Sequence, residues 1–208
     1  MSVIDATPPL PNPGSESGAG QEPPPDEPVV IEDLAAVVRI PSLQRKIRRI
    51  LDRMLSSFQF PEDSPFRLVS PEPGDGVLEY GLRWRDPESG LSLFAGMSWG
   101  DGGHDPLWEV RLEAATGTDP GPLRASGLLR MAARRAESRF SEWDRFWHED
   151  QAEAGFLIGA SAACTRFLEE TNPDGTAAEY LAGALHALHR SGALDAVRSA
   201  VLAPPETN

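Results

Sequence analysis

An α+β fold, with an antiparallel β-meander of four to five strands packed against helices, is what this 208-residue sequence predicts. Three features carry the prediction. Apolar residues alternate with a period of two between residues 66 and 115. On either side of that stretch they recur at the helical spacing of about 3.6 residues. The alternating runs are separated by short turns rich in Gly, Pro and Asp, which join antiparallel neighbours, whereas parallel strands need a crossover. The C-terminal third is helical.

Residues 1–29 hold Asp5, Glu16, Glu22, Asp26 and Glu27, no Lys or Arg, and eight of the 20 prolines. Such a segment cannot bury enough apolar surface to offset its ordering entropy. We expect a disordered, Pro-rich acidic tail over 1–29 and a single α+β domain over 30–204. The tail is an entropic linker or, in the sharper reading, a docking peptide in polyproline II form.

Ile31, Leu34, Val37 and Val38 predict a short helix ending before Pro41, because a residue preceding proline is biased away from the helical region. Ser42 then caps a stronger helix. Its stripe of Leu43, Ile47, Ile50, Leu51, Met54, Leu55 and Phe58 faces a core, and Arg45, Lys46, Arg48, Arg49 and Arg53 make the opposite side basic.

The strands follow. Phe66 to Val69 reads as a short edge strand, bounded by Pro65 and Pro71. The next strand puts Leu78, Tyr80, Leu82 and Trp84 on one face and Glu79, Gly81, Arg83 and Arg85 on the other. A turn at 86–90 leads to Leu91, Leu93, Ala95, Met97 and Trp99, and a turn at 101–106 to Trp108, Val110, Leu112 and Ala114. Matching apolar to apolar pairs Trp84 with Leu93, Leu82 with Ala95, Tyr80 with Met97 and Leu78 with Trp99, then Trp99 with Trp108 and Met97 with Val110. The polar face then carries the rows Glu79, Ser98, Glu109; Gly81, Gly96, Arg111; and Arg83, Phe94, Glu113.

Beyond the sheet, Leu129, Ala132, Ala133, Ala136, Phe140, Trp143 and Trp147 predict one long helix, with Arg130, Arg134, Arg135 and Arg139 on its other faces. Residues 155–162 suit either a helix or a buried strand, and two glycines favour the strand. Asn172 to Gly175 is a turn, a helix spans about 176–190, and a short one carrying Leu194, Val197 and Val201 ends before Pro204.

The formal charge of −13, from 32 Asp or Glu against 19 Lys or Arg, argues against generic nucleic-acid binding, which needs clustered cations to displace counterions. One cysteine, Cys164, excludes an intramolecular disulfide framework and a Cys-based zinc cluster, and fits a reducing cytoplasm. The absence of any apolar run approaching a membrane span, or of a secretory signal pattern, leads us to expect a soluble cytoplasmic protein without membrane insertion.

Candidate chemistry is sparse. His186 and His189 share a helix face at ligand spacing, with Glu179 two turns back, but no further His or Cys completes a set, and the favoured reading is structural. His148-Glu149-Asp150 reads as a solvated turn, and Cys164 as a small packed residue with no base beside it. Lys46, the only lysine, lies on an exposed helix face. Asp101-Gly102-Gly103 lacks the following helix of a phosphate site. No cofactor or metal is expected.

The polar sheet face carries most weight. Glu79, Glu109 and Arg111 lie close together on it, and Glu109-Val110-Arg111 has the form acidic, any residue, basic. The order helix, three or four strands, helix, strand over residues 43–162 resembles in topology the PD-(D/E)XK nuclease-like fold. That resemblance implies a divergent nuclease using Glu79, Glu109, Arg111 and Asp75, with a degraded metal site. The favoured reading of Glu79, Arg83, Arg111 and Glu113 is cross-strand ion pairing.

The expected function is a non-enzymatic interaction protein: an adaptor, chaperone-like factor or accessory subunit with protein partners. Arg45, Arg48, Arg49, Arg53, Arg134, Arg135, Trp143 and Trp147 are its partner-binding candidates, since Arg and aromatic residues dominate interface hot spots. The nuclease-like enzyme and an acidic nucleic-acid mimic are the alternatives.

Overall fold

The computed structural model describes residues 31–69, 79–99, 106–114, 123, 127–140, 146–148 and 155–203, with side chains from residue 42 onward. The expectations placed on the 1–29 tail, Asp75, Leu78, Asp101 to Gly103, Trp143, Glu149 and Asp150 lie outside the described residues. The chain divides into two compact units, Met1–Val38 and Arg39–Asn208. In the first, the described residues are helical backbone. Everything below concerns the second.

The elements are α1 (Ile31–Ser57), β1 (Arg67–Val69), β2 (Glu79–Arg85), β3 (Leu91–Ser98), β4 (Leu107–Ala114), α2 (Leu128–Glu137), β5 (Trp147–His148), β6 (Phe156–Ala163), a 3-10 turn (Cys164–Phe167), α3 (Pro173–Arg190) and α4 (Ala193–Leu202). The fold is α+β. Among the described residues, six antiparallel strands form one sheet in the order β1-β2-β3-β4-β6-β5. The expected edge strand, the three long strands and the strand reading of 155–162 are all present.

Three local expectations are corrected. The backbone is helical through Pro41 instead of breaking before it. The missing N–H of a proline forfeits one bond of the helical ladder, and the helix continues past that loss.

The long helix predicted to reach Trp147 stops at Glu137. There the backbone tightens into a 3-10 type end, with Arg139 N–H donating to Ala136 O at 2.9 Å and Phe140 N–H to Glu137 O at 3.1 Å. Trp147 belongs instead to β5, opposite Gly159.

Residues 172–175 open α3 rather than forming a separate turn. Asn172 is its N-cap, accepting from Gly175 N–H at 3.3 Å, and Pro173 occupies the first turn, where no N–H is needed.

One sheet face carries the core. Trp84, Leu93, Ala95, Met97, Trp108, Val110, Leu112, Ile158 and Ala160 are buried with Ile47, Ile50, Leu51, Met54 and Phe58 of α1 and its C-terminal end, Ala132, Ala133 and Ala136 of α2, and Leu181, Leu185 and Leu188 of α3. α3 lies against β3 and β4, and α2 against β5 and β6. α3 is rich in alanine, which lets it approach the sheet closely; Ala177, Ala178, Ala182, Ala184 and Ala187 are all buried.

α4 is tied to the β2–β3 turn. Asp86, 1% exposed, accepts from Ser89 Oγ and from Arg198 Nε at 2.7 Å, and Arg198 also pairs with Glu88. Burial pushes the Asp86 carboxyl up. Hydrogen bonds from Ser89, Arg198 and the Glu88 amide, with the Arg198 charge, outweigh that and hold it below its ordinary value. Its stabilising contribution is thus present above the usual carboxyl range and is lost as pH falls through its lowered pKa.

Candidate functional site

The register of the central strands builds the polar face. β2 and β3 pair as the apolar matching predicts: Trp84 with Leu93, Leu82 with Ala95, Tyr80 with Met97. β3 and β4 are displaced by two residues from the predicted register, so that Met97 faces Trp108 and Ala95 faces Val110. A shift of two keeps every side chain on its face, so apolar matching is satisfied either way. The polar face differs: Arg111 comes to lie opposite Phe94 instead of Gly96.

The row Arg83, Phe94, Arg111, Gly159, Trp147 now crosses five strands. The Arg111 guanidinium carbon stands 4.6 Å from the Phe94 ring centre and 4.5 Å from that of Phe156, so the cation is held between two aromatic faces. Arg83 shares the Phe94 ring at 5.4 Å.

Carboxylates close the arrangement into a ring. Arg111 Nη1 donates to Glu109 Oε2 at 2.6 Å, its Nε donates to Glu113 Oε1 at 2.6 Å, and its Nη2 donates to Glu79 Oε1. Arg83 reaches the second oxygens, Glu79 Oε2 at 3.0 Å and Glu113 Oε2. Glu79 and Glu113 therefore each bridge both arginines. Ser98 Oγ donates to Glu109 Oε2 at 2.8 Å, and Ser92 Oγ accepts from Arg83 at 3.0 Å and donates to Glu113 at 3.2 Å.

Arg111 is 3% exposed and Glu109 8%. Burial lowers the affinity of Arg111 for its proton, but the charges of Glu109, Glu113 and Glu79 and the hydrogen bond to Glu113 overcome this and raise its pKa above the ordinary arginine value. The three alternative catalytic candidates, Glu79, Glu109 and Arg111, are thus in direct contact. Glu79 and Glu109 each pair with the Arg111 guanidinium, which stands where their carboxylates converge. Among the described residues, no group of three or more His, Cys, Asp and Glu is arranged to hold a metal ion.

The histidines predicted as structural pack as rings. His186 lies edge-on to Phe58 at 5.0 Å and His189 edge-on to Phe60 at 5.5 Å. His186 Nε2 donates to the Ser57 carbonyl at 3.0 Å, so that nitrogen carries its proton. Cys164 is half-buried against the core at the start of the 3-10 turn.

The partner-binding candidates separate into two groups. Arg45, Lys46, Arg48, Arg49 and Arg53 on α1, and Arg134 and Arg135 on α2, are exposed. Lys46, Arg48, Arg49, Arg53, Arg134 and Arg135 make no side-chain ion pair or hydrogen bond among the described residues. Trp147, by contrast, is half-buried with its indole over Gly159. A Cβ there would stand 2.5 Å from Trp147 Cζ2, so the absence of a side chain at 159 is what seats the ring.

A cleft on α3 that the sequence did not point to is lined by Phe140, Phe167, Tyr180, Thr176 and Gly183, together with Arg139, Glu179 and His186. The available signal was the spacing of 176, 179, 180, 183 and 186, one stripe of a helix. No family model, no curated protein and no solved structure matches this chain.

Proposed function

We propose that this chain is a non-enzymatic interaction protein whose basic helical surfaces dock an acidic protein partner in the cytoplasm. The observation that carries the reading is the set of exposed cations Lys46, Arg48, Arg49 and Arg53 on α1. They have no counter-ion among the described residues, in a chain whose net charge is −13. A concentration of cations on a protein otherwise rich in carboxylates is an electrostatic feature suited to steering and orienting a partner of opposite sign. The polar sheet face supports the same reading from the other side, because each of Glu79, Glu109 and Glu113 already pairs with a guanidinium.

The test is affinity purification of the full chain from its native host with mass spectrometry of the bound proteins. The account predicts an acidic partner that Glu109→Gln retains. Reversing Arg48→Glu together with Arg49→Glu should weaken it at least about tenfold, and raised salt should loosen it. A partner indifferent to the double reversal but lost with Glu109→Gln would place function on the sheet instead.

A further inference from the structure

The outward face of α2 combines exposed charge with an exposed apolar side chain. Leu129, Ala132, Ala133 and Ala136 are buried and fix the inward side of the helix. Arg130, Met131, Arg134 and Arg135 are exposed, and Met131 keeps 50% of its surface in solvent. Arg134 and Arg135 follow Met131 by three and four residues, the spacings at which helix side chains are surface neighbours, and Arg130 precedes it. An apolar thioether therefore lies among three guanidiniums.

Local folding does not account for all of this charge. Arg134 and Arg135 sit in the last turn of α2, where the helix dipole favours cations. Arg130 is different. It is the third residue of the helix, in a first turn that holds no acidic residue, where the dipole disfavours a cation. It also stands four residues before Arg134, a spacing at which like charges repel. Among the described residues, Arg130, Arg134 and Arg135 make no side-chain ion pair or hydrogen bond that would offset this. The one carboxylate of α2, Glu137, is its last residue and is half-buried.

The cores of protein interfaces are enriched in Met and Arg and depleted in Lys, Asp and Glu, which is the composition of this face. A phosphate backbone would engage the guanidiniums and leave the thioether in water, whereas an acidic peptide can cover both. Methionine, unbranched and polarizable, adapts to the apolar group it meets. We infer that α2 is a docking surface in its own right, seating an acidic segment of the partner with one apolar side chain on Met131 and carboxylates on Arg130, Arg134 and Arg135. This rests on the acidic-partner reading above and adds a contact beyond α1.

The probes are fluorescein-labelled peptides of alternating Glu and Asp with a central Leu, the same peptide with Ala at the centre, and a Lys-flanked Leu peptide. Binding to the full chain is measured by anisotropy. Contact at α2 is read from the NMR signal of the Met131 methyl group, assigned by its loss in Met131→Leu. The acidic Leu peptide is expected to shift that methyl and to bind about tenfold more tightly than its Ala counterpart, the scale of burying much of one leucine side chain. Met131→Gln, which keeps the length and the helix but adds a polar amide, should erase the Leu advantage. Arg130→Glu should weaken the acidic Leu peptide about tenfold. The same change should raise the melting temperature of the chain by about 2 °C, because a carboxylate suits the first turn and pairs with Arg134 four residues on.

A lower melting temperature for Arg130→Glu would make that arginine a structural element and overturn the inference, as would unchanged affinity for the acidic Leu peptide. Equal binding of the two acidic peptides, with the Met131 methyl unmoved and both lost on reversal of Arg48 and Arg49, would overturn the α2 surface while leaving the α1 reading in place. Acidic peptides that bind no better than the Lys-flanked one would overturn both.

Discussion

Replacing Arg111 by methionine is expected to cost about 3–5 kcal/mol of folding stability, the scale of removing one partner from a buried charge pair. Methionine keeps an unbranched stem between Phe94 and Phe156, so packing changes little. What is lost is the cation on which Glu79, Glu109 and Glu113 converge, at a site where Arg111 is 3% exposed. Arg83 remains to Glu79 and Glu113, but it has no bond to Glu109. Glu109 is therefore the carboxylate left most exposed to the penalty, and Glu109→Gln in the same chain should recover part of the loss. Urea unfolding of the four chains of that double-mutant cycle isolates the coupling. A loss below about 1 kcal/mol for Arg111→Met would mean the network is an exposed surface arrangement, whose pairs are individually worth little.

The second large effect is expected at Gly96. It faces Gly81 across β2 and β3, and a Cβ at position 96 would stand 2.5 Å from the carbonyl oxygen of Tyr80 and closer still to the Gly81 Cα. Real Cβ atoms do not approach backbone that closely, and backbone cannot rotate away as a side chain can. Gly96→Ala must push the two strands apart, one row from Arg83 and Phe94. Overpacking of this kind costs about 1–3 kcal/mol, and more is expected for Gly96→Val. Thermal unfolding of the two variants beside the native chain measures it. A melting temperature unchanged by Gly96→Ala would show that the strands are spaced more widely than described.

How much of this was legible in the residues follows from what each pattern constrains. Alternation placed Trp84, Leu93, Val110 and their neighbours on the buried face, and the short turn at 86–90 fixed the β2–β3 pairing. It could not distinguish the two registers of β3 on β4, since both bury the same side chains. The deciding contact, Arg111 on Phe94 and Phe156, joins three strands far apart in sequence. The helical period overran Glu137 because Phe140 and Trp147 happen to continue the spacing, while Trp147 is instead drawn to the bare backbone of Gly159. A two-residue strand such as β5 leaves no periodic signal. The α3 cleft is invisible from the sequence because Phe140 reaches Gly183 only in the folded chain. The basic residues of α1 and α2 were readable directly, because exposed charge needs no partner to be recognised.

The account rests on every carboxylate of this polar sheet network being paired with a guanidinium of the same face, leaving recognition to the helices. The most direct test is titration of the native chain with Mn²⁺, read by the relaxation of water protons, beside Glu109→Gln. The ring of Arg83, Glu79, Arg111 and Glu113 predicts no saturable binding that depends on Glu109. Saturable binding at micromolar Mn²⁺, abolished by Glu109→Gln, would contradict it and return Glu79 and Glu109 to the role of metal ligands.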